Sequence, residues 1–592
     1  MGRRRRGGAD EAFTFDLEPD DGDEPVGRGH ERRAEASTEP VRRAPDAARP
    51  VTASAGAPIV IDLDSALDSA LDYSPEDALP DAPSSALMRR LRAQPRGRVL
   101  AAAAVVGVLA VGAAVVSTVV ERNRETGLRG APGGVLDLAT EPSEAWALEG
   151  SARRGTGLIA TMGRLVVVQD VDGLAAVDAE SGRPRWRVGG DVGQGNCGPS
   201  PDYLGTGIRP YSTDLLVCVA ADRGSDESVV AVIDGEGSVV SRRTVDHGDG
   251  ALFPGVDGGL LTATWVDEAD EPRGADVLID PQSGSLTDGQ VIEDGYDLEV
   301  RLEDAATGRV RWEQTVAFEP VTDPYLCARW VGASDDEARV DLRGGLSMGA
   351  TPRMIWVSAC GIDASFTPSG TRLDTPQVAE PGRRASELDR ERVQPLVDGG
   401  FIVRWDTRGD REPSHADTLL RADGTVVREV DGDVLDPWAT SGAGAGLHVL
   451  RGEGETVGVD RDGDELWRTD VPAVAVLVRT RDALVVADDT LHLVGIDPAT
   501  GERLWRSEQP MGADDVVYDS AEGTVQSVFT DGRVMALVLP DWESSNRRWI
   551  AFDVHSGDQL WEREYVSSGW GAEFAVDGRI VRWSPTGLAG LG

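Results

Sequence analysis

The stretch Val494-Gly-Ile-Asp497-Pro-Ala-Thr-Gly501-Glu-Arg-Leu-Trp505-Arg506 decides how the chain is read. An apolar strand end is followed by Asp, Gly and Trp, each four residues after the last. The same skeleton returns as Asp178, Gly182, Trp186, as Asp304, Gly308, Trp312, and as Asp553, Gly557, Trp561; in Asp460, Gly463, Trp467 the turn is one residue shorter. The residues before each Asp, such as Ala176 and Val177 or Leu493 and Ile496, have the apolar, largely β-branched character of a buried strand. Asp suits the turn that must come next because its carboxylate accepts backbone N–H groups two residues on, and Gly supplies the positive φ that a side chain would obstruct. Trp then stands at a fixed place on the next strand.

A large aromatic at one place in every unit suits sheets that pack face to face, each such side chain burying about 150 to 250 Å². The motif resembles the blade repeat of the PQQ-like β-propeller family, which includes quinoprotein dehydrogenases and the lipoprotein of the outer-membrane assembly machinery. The resemblance covers 143–592 and is weakest over about 320–450, where strict copies are missing. Trp467 and Trp505 lie 38 residues apart, close to the minimum for a four-stranded blade. The expected fold is all-β, a seven- or eight-bladed β-propeller with eight preferred, preceded by one transmembrane helix and a disordered tail.

That preceding part divides by composition. Residues 1–86 are rich in Asp, Glu, Pro, Gly, Ala and Arg and cannot bury enough apolar surface to offset ordering entropy, so they read as a disordered acidic cytoplasmic tail. Arg3 to Arg6 are not followed by the apolar run an export signal needs. Leu63, Leu67 and Leu71 recur between acidic residues, the spacing of a short amphipathic helix. Residues 87–98 form a basic juxtamembrane segment with Arg89, Arg90, Arg92, Arg96 and Arg98. Residues 99–120 (VLAAAAVVGVLAVGAAVVSTVV) are uncharged, and about 22 residues at 1.5 Å each cross a ~30 Å hydrocarbon core. The arginine excess on the N-terminal flank places the tail in the cytoplasm and the propeller outside, at the cell membrane. Residues 121–142 read as a Gly- and Pro-bearing linker.

The formal net charge of −43 argues against a nucleic-acid partner, since phosphate binding rests on basic patches. No lysine occurs, which excludes a phosphate-loop lysine, a Schiff-base lysine and a Ser-x-x-Lys nucleophile. The four cysteines, Cys197, Cys218, Cys327 and Cys360, all come after the apolar run, in keeping with an oxidising compartment. Of the three possible pairings the nearest-neighbour one, 197 with 218 and 327 with 360, is preferred over the others and over a zinc site, for which no Cys-x-x-Cys or paired His spacing exists.

Gly345-Leu-Ser347-Met-Gly349 matches a nucleophile elbow in letters, but the next residues, Ala350 to Val357, read as a turn into a strand and not as the helix that chemistry needs. Asp460, Asp462 and Asp464 begin like an EF-hand loop, yet position twelve is Val471. In the quinoprotein enzymes the resemblance implies a quinone between a Trp and a disulfide of adjacent cysteines, with calcium held by Glu, Asn and Asp. This chain has no adjacent cysteines and only Asn123, Asn196 and Asn546, so no position here takes those roles, and no catalytic residue, cofactor or metal is assigned. The expected function is a non-catalytic protein-interaction or scaffold domain outside the membrane, with other cell-surface proteins as partners and the bilayer touched through one helix. The alternatives are a PQQ-dependent dehydrogenase-like enzyme and an extracellular ligand or glycan sensor. For ring closure, Trp146 is expected to fill the blade-Trp position of the last blade, pairing with the strand near Leu588.

Overall fold

The computed structural model describes residues 121–592 except 150–156, 191, 200, 205–206, 222–225, 267–290, 322–326, 332–336, 374–388, 408–415, 443, 445, 512–523, 541–545 and 567–570. The acidic tail, the basic segment and the apolar run 99–120 therefore lie outside the described residues. Among the described residues no helix is long and apolar enough to cross a membrane.

From residue 144 onward the described residues are almost entirely β-strands and turns. Among them nine sheets of three or more strands succeed one another, over 157–188, 196–246, 251–316, 347–366, 389–431, 433–469, 473–510, 527–566 and 572–591. Within each stretch consecutive strands pair antiparallel, so the chain meanders outward from an inner strand; the seventh sheet also takes Ala439–Thr440, parallel to Ala473–Arg479. Middle strands such as Gly173–Asp178 and Leu484–Asp488 are buried at every position. Outer strands such as Pro184–Val188 and Arg503–Pro510 have no fully buried residue. The reason is the packing: a middle strand has a neighbouring sheet on both faces, and an outer strand has solvent along its free edge.

The core is accordingly split into layers between successive sheets. Ala160, Leu174 and Ala176 of the first pack on Leu216 and Ile233 of the second. Leu484, Val494 and Ile496 of the seventh pack on Val449 and Trp467 of the sixth. The last layer joins the ninth sheet to the first, with Phe574, Val576, Val581 and Leu588 against Val166, Val168, Val177 and Ala179. The ninth sheet is completed by Glu144–Glu149, which pairs antiparallel with Gly587–Leu591. In that pairing Leu148 faces Leu588 and Trp146 faces Gly590, on the strand that holds Leu588.

Residues 121–142, read as a linker from their composition, are built into this body. A helix over 121–130 leads into turns, and Leu128, Val135 and Leu138 of this segment are buried. Val135 N–H donates to Thr530 O, Leu136 N–H to Gly578 O, and Thr440 N–H to Pro132 O. Scattered Gly and Pro look like a flexible spacer in a composition count. Here they let the backbone approach closely: a methyl group on Gly133 would stand 2.5 Å from Ala439 Cβ.

Candidate functional site

The motif residues come together at the seams between sheets. Each Asp caps its own turn: Asp178 Oδ1 accepts Ser181 N–H at 3.0 Å and the Ser181 hydroxyl at 2.9 Å. Asp497 Oδ1 accepts from Ala499 N–H and Thr500 N–H, Asp553 Oδ1 from His555 N–H and Ser556 N–H, and Asp304 Oδ1 from Thr307. For Asp178 burial pushes the carboxyl upward, but the Ser181 bonds with Arg164 and Arg185 outweigh it and hold it below the usual range. In Asp304 the Thr307 hydroxyl leads the same lowering. Asp460 Oδ1 accepts from Asp462 N–H and Asp464 N–H, which accounts for that acidic cluster as a turn.

The Gly of the turn, at φ 66° in Gly182, forms the floor on which the Trp of the preceding sheet lies. A methyl group at Gly182 would stand 2.5 Å from Trp146 Cδ2, and one at Gly557 2.5 Å from Trp505 Cδ2. The indole N–H completes the joint. Trp146 Nε1 donates to Ala179 O at 3.1 Å, Trp467 Nε1 to Pro498 O at 2.8 Å, and Trp505 Nε1 to Val554 O at 2.9 Å, in each case the carbonyl just after the turn Asp. Trp186 and Trp312 donate to Gly235 O and Pro368 O, at turns with no strict motif. The Asp-Gly-Trp repeat is therefore the joint by which one sheet is keyed to the next, and only Trp467 among its tryptophans is buried; the others are half-buried.

Two seam residues are invisible to sequence reading. Arg243 stands in for the Trp of the second sheet from two residues beyond its register place, where Ser241 opposes Val232, donating from Nε to Ala305 O at 2.8 Å and pairing with the buried Glu303. Arg428 stands in for the Trp of the fifth, reaching Gly463 O and Asp464 Oδ1. The available signal is the turn Gly of the next sheet, not the Trp. At the ninth sheet the turn is split between the chain ends. There Trp561 Nε1 donates to Leu138 O at 2.9 Å, and Ser143 and Gly592 exchange backbone hydrogen bonds.

Cys197 is bonded to Cys218 and Cys327 to Cys360. The first bridge joins directly opposed residues of Asn196–Gly198 and Leu215–Ala221. The second ties the excursion after the third sheet to the fourth. Ser347 begins the exposed end of strand Ser347–Ala350, opposite Ser358, with no helix after it.

A cavity of about 340 Å³ opens at the inner edges of the sheets. Arg209, Arg353, Trp438, Gln526 and Glu573 line it together with 129–133. The charges around it are engaged. Arg547 Nη1 donates to Glu573 Oε2 at 2.6 Å, the Tyr565 hydroxyl donates to the same carboxylate, and burial with that charge keeps the Tyr565 proton bound well above its ordinary range. Arg129 pairs with Asp577, Arg209 donates to Trp438 O and Arg353 to Leu396 O. Nearby, burial pushes the Asp436 carboxyl up to about 6 against the pull of Val397 N–H, Arg209, Arg353 and Arg479. Gln526 Oε1 is buried without a hydrogen-bond partner while its Nε2 is fixed on Gly571 O. Such a wall offers apolar area and polar side chains to a ligand.

The family model described as outer membrane protein assembly factor BamB matches residues 133–334 and 404–573. Among solved structures, BamB from Moraxella catarrhalis is similar at 14% identity, covering 66% of this chain and 95% of that one, with a TM-score of 0.27. A quinohemoprotein alcohol dehydrogenase from Comamonas testosteroni is similar at 11% identity, covering 76% of each chain, with a TM-score of 0.32. The computationally designed Ika8 protein is similar at 12% identity, covering 76% of this chain and 98% of that one, also at 0.32. No curated protein matches the chain.

Proposed function

We propose that this chain, which belongs to the outer membrane protein assembly factor BamB family, is a single-pass membrane protein whose propeller stands outside the cytoplasmic membrane as a non-catalytic platform for other proteins. The observation that carries the platform reading is the use made of the recurrent residues: each motif Asp caps a turn and each motif Trp keys a seam. The conspicuous chemistry of the sequence is thereby spent on architecture. The PQQ-dependent enzyme has no such support, because its paired adjacent cysteines have no counterpart in bridges that span 21 and 33 residues.

The exterior location rests on the uncharged run 99–120, the five arginines before it and two disulfides after it. We assign nine blades in place of the expected seven or eight. What supports this is the shared core layer between the ninth sheet and the first, together with seams at the sheets over 347–366 and 389–431, which carry no motif Trp. A second reading, a ligand or glycan sensor, is favoured by a cavity walled by 129–133, the segment that leads toward the membrane, and lined by Gln526 and Trp438.

Protease added to intact spheroplasts tests the location: the propeller should be digested and the tail spared, and protection of the propeller overturns it. Proximity labelling from the propeller in intact cells then tests the platform, which requires the same exterior proteins to be recovered by the wild type and lost when the propeller is deleted.

A further inference from the structure

The segment between the apolar run and the propeller leaves almost no slack. The helix over 121–130 is docked by its last turns: Leu128 is fully buried, Arg124 Nη2 donates to Asp531 O at 2.7 Å, and Arg129 Nη1 reaches Asp577 Oδ2 at 2.9 Å. A methyl group on Gly127 would stand 3.2 Å from Ser441 O. Toward its N-terminus the same helix is exposed at 121–124 and 126, so it leaves the body there. Seven residues separate Leu128 from Glu121, about 11 Å of helix, and the apolar run ends at the next residue, Val120.

All the contacts lie on one face. In an antiparallel meander, the turn from first to second strand and that from third to fourth share a face, and the turn from second to third lies on the other. Asp531 to Arg533 and Asp577 to Gly578 are first-to-second turns, as is Thr480 to Ala483 in the neighbouring sheet. The headgroup layer occupies roughly 5 to 8 Å beyond the hydrocarbon edge. Of about 11 Å, what remains is less than the 10 to 12 Å diameter of a single helix with its side chains.

We propose that the propeller face bearing these turns is held against the lipid headgroups, closed to folded partners, so that proteins using this platform dock on the opposite face or the outer rim. The inference rests on the membrane-anchored reading above and goes beyond it by assigning which face meets the bilayer. A composition-based linker of 22 residues would have let the domain tumble; a docked strut does not.

Single cysteines report the result in membranes carrying the full chain. Asp482→Cys and Arg533→Cys lie on the proposed bilayer face, and Asp172→Cys and Glu453→Cys on turns of the opposite one; all four native residues are exposed. A bulky polyethylene-glycol maleimide should label 172 and 453 in intact membranes and fail at 482 and 533, with all four labelled after detergent solubilisation. A Gly-Ser insert about 20 residues long between Val120 and Glu121, spanning roughly 25 Å, should restore labelling at 482 and 533. Equal labelling of all four sites in intact membranes overturns the proposal, as does protection that survives the insert, which would mean another protein covers the face. Recovery of the full chain in the soluble fraction instead overturns the anchoring reading itself, and is scored separately by alkaline washing of the membranes.

Discussion

Replacing Trp146 with Ala tests how the ring is closed. The side chain is half-buried, lies on Gly182, faces Gly590 and donates to Ala179 O. A fully buried Trp→Ala costs about 3 to 5 kcal/mol, so half of it costs about 1.5 to 2.5 kcal/mol, and the lost hydrogen bond adds at least 0.5 kcal/mol. The sum is roughly 2 to 3 kcal/mol. For a body of about 450 residues, with an unfolding entropy near 2.1 cal/mol/K per residue, that lowers Tm by only about 2 to 3 °C. Calorimetry resolves this, but a partner substitution makes the test sharper. Gly182→Ala meets two penalties: a non-glycine residue at φ 66°, about 1 to 2 kcal/mol, and a methyl group 2.5 Å from the indole, about 1 to 3 kcal/mol. The second penalty vanishes once Trp146 is Ala. The double variant should therefore be more stable than the sum of the single effects by about 1 to 3 kcal/mol. Additivity within about 0.5 kcal/mol would show that Trp146 does not lie on Gly182, and the closure would be wrong.

Asp436 has its folded pKa raised to about 6 from an ordinary 3.8, so the folded state holds the extra proton between those values and stability falls as pH rises through them; Asp436→Asn should gain up to about 3 kcal/mol at pH 8 and nothing below pH 4, read from urea unfolding at both. Reduction of the Cys197–Cys218 and Cys327–Cys360 bridges, which close loops of 21 and 33 residues, should each remove about 3 to 4 kcal/mol, seen as a two-step fall in Tm in the Cys→Ser variants; peptide mapping without reductant should yield both linked pairs and no free thiol.

The fold class was legible because Asp, Gly and Trp must meet at fixed offsets for a turn to cap itself and a ring to lie on it, and nothing distant in the chain can supply that geometry. The pairing of Glu144–Glu149 with the C-terminal strand was legible for a similar reason: a sheet left one strand short has an unpaired edge. The helix contacts of 121–130 were not legible. Leu128, Val135 and Leu138 are buried but spaced irregularly, Val135 and Leu138 against strands of the eighth and ninth sheets, so no local periodicity announces them. Nor was the cavity, whose lining comes from inner strands and insertions hundreds of residues apart.

The nine blades proposed above exceed the expected seven or eight for a reason that lies in the chemistry of the seam. What a seam requires is a flat group that can cover the turn Gly and an N–H that can reach the carbonyl after the turn Asp. Indole satisfies both, but so does a guanidinium, which is planar and carries five donors. Arg243 meets the requirement with a hydrogen bond of the same kind, Arg428 reaches the carbonyl of the turn Gly463 instead, and each also engages a carboxylate that an indole would leave unpaired, Glu303 and Asp464. Arg243→Trp is therefore not a restoration of the motif: it would strand the buried Glu303, a loss of about 3 to 5 kcal/mol where a buried pair loses one partner, read as a fall in the urea midpoint. At the seam between the fourth and fifth sheets Thr371 and Leu373 cover Gly424 with methyl groups. A count of motif tryptophans therefore falls short of the number of seams among the described residues, whereas the turn glycines Gly308, Gly424 and Gly463 mark the seams that the tryptophans miss.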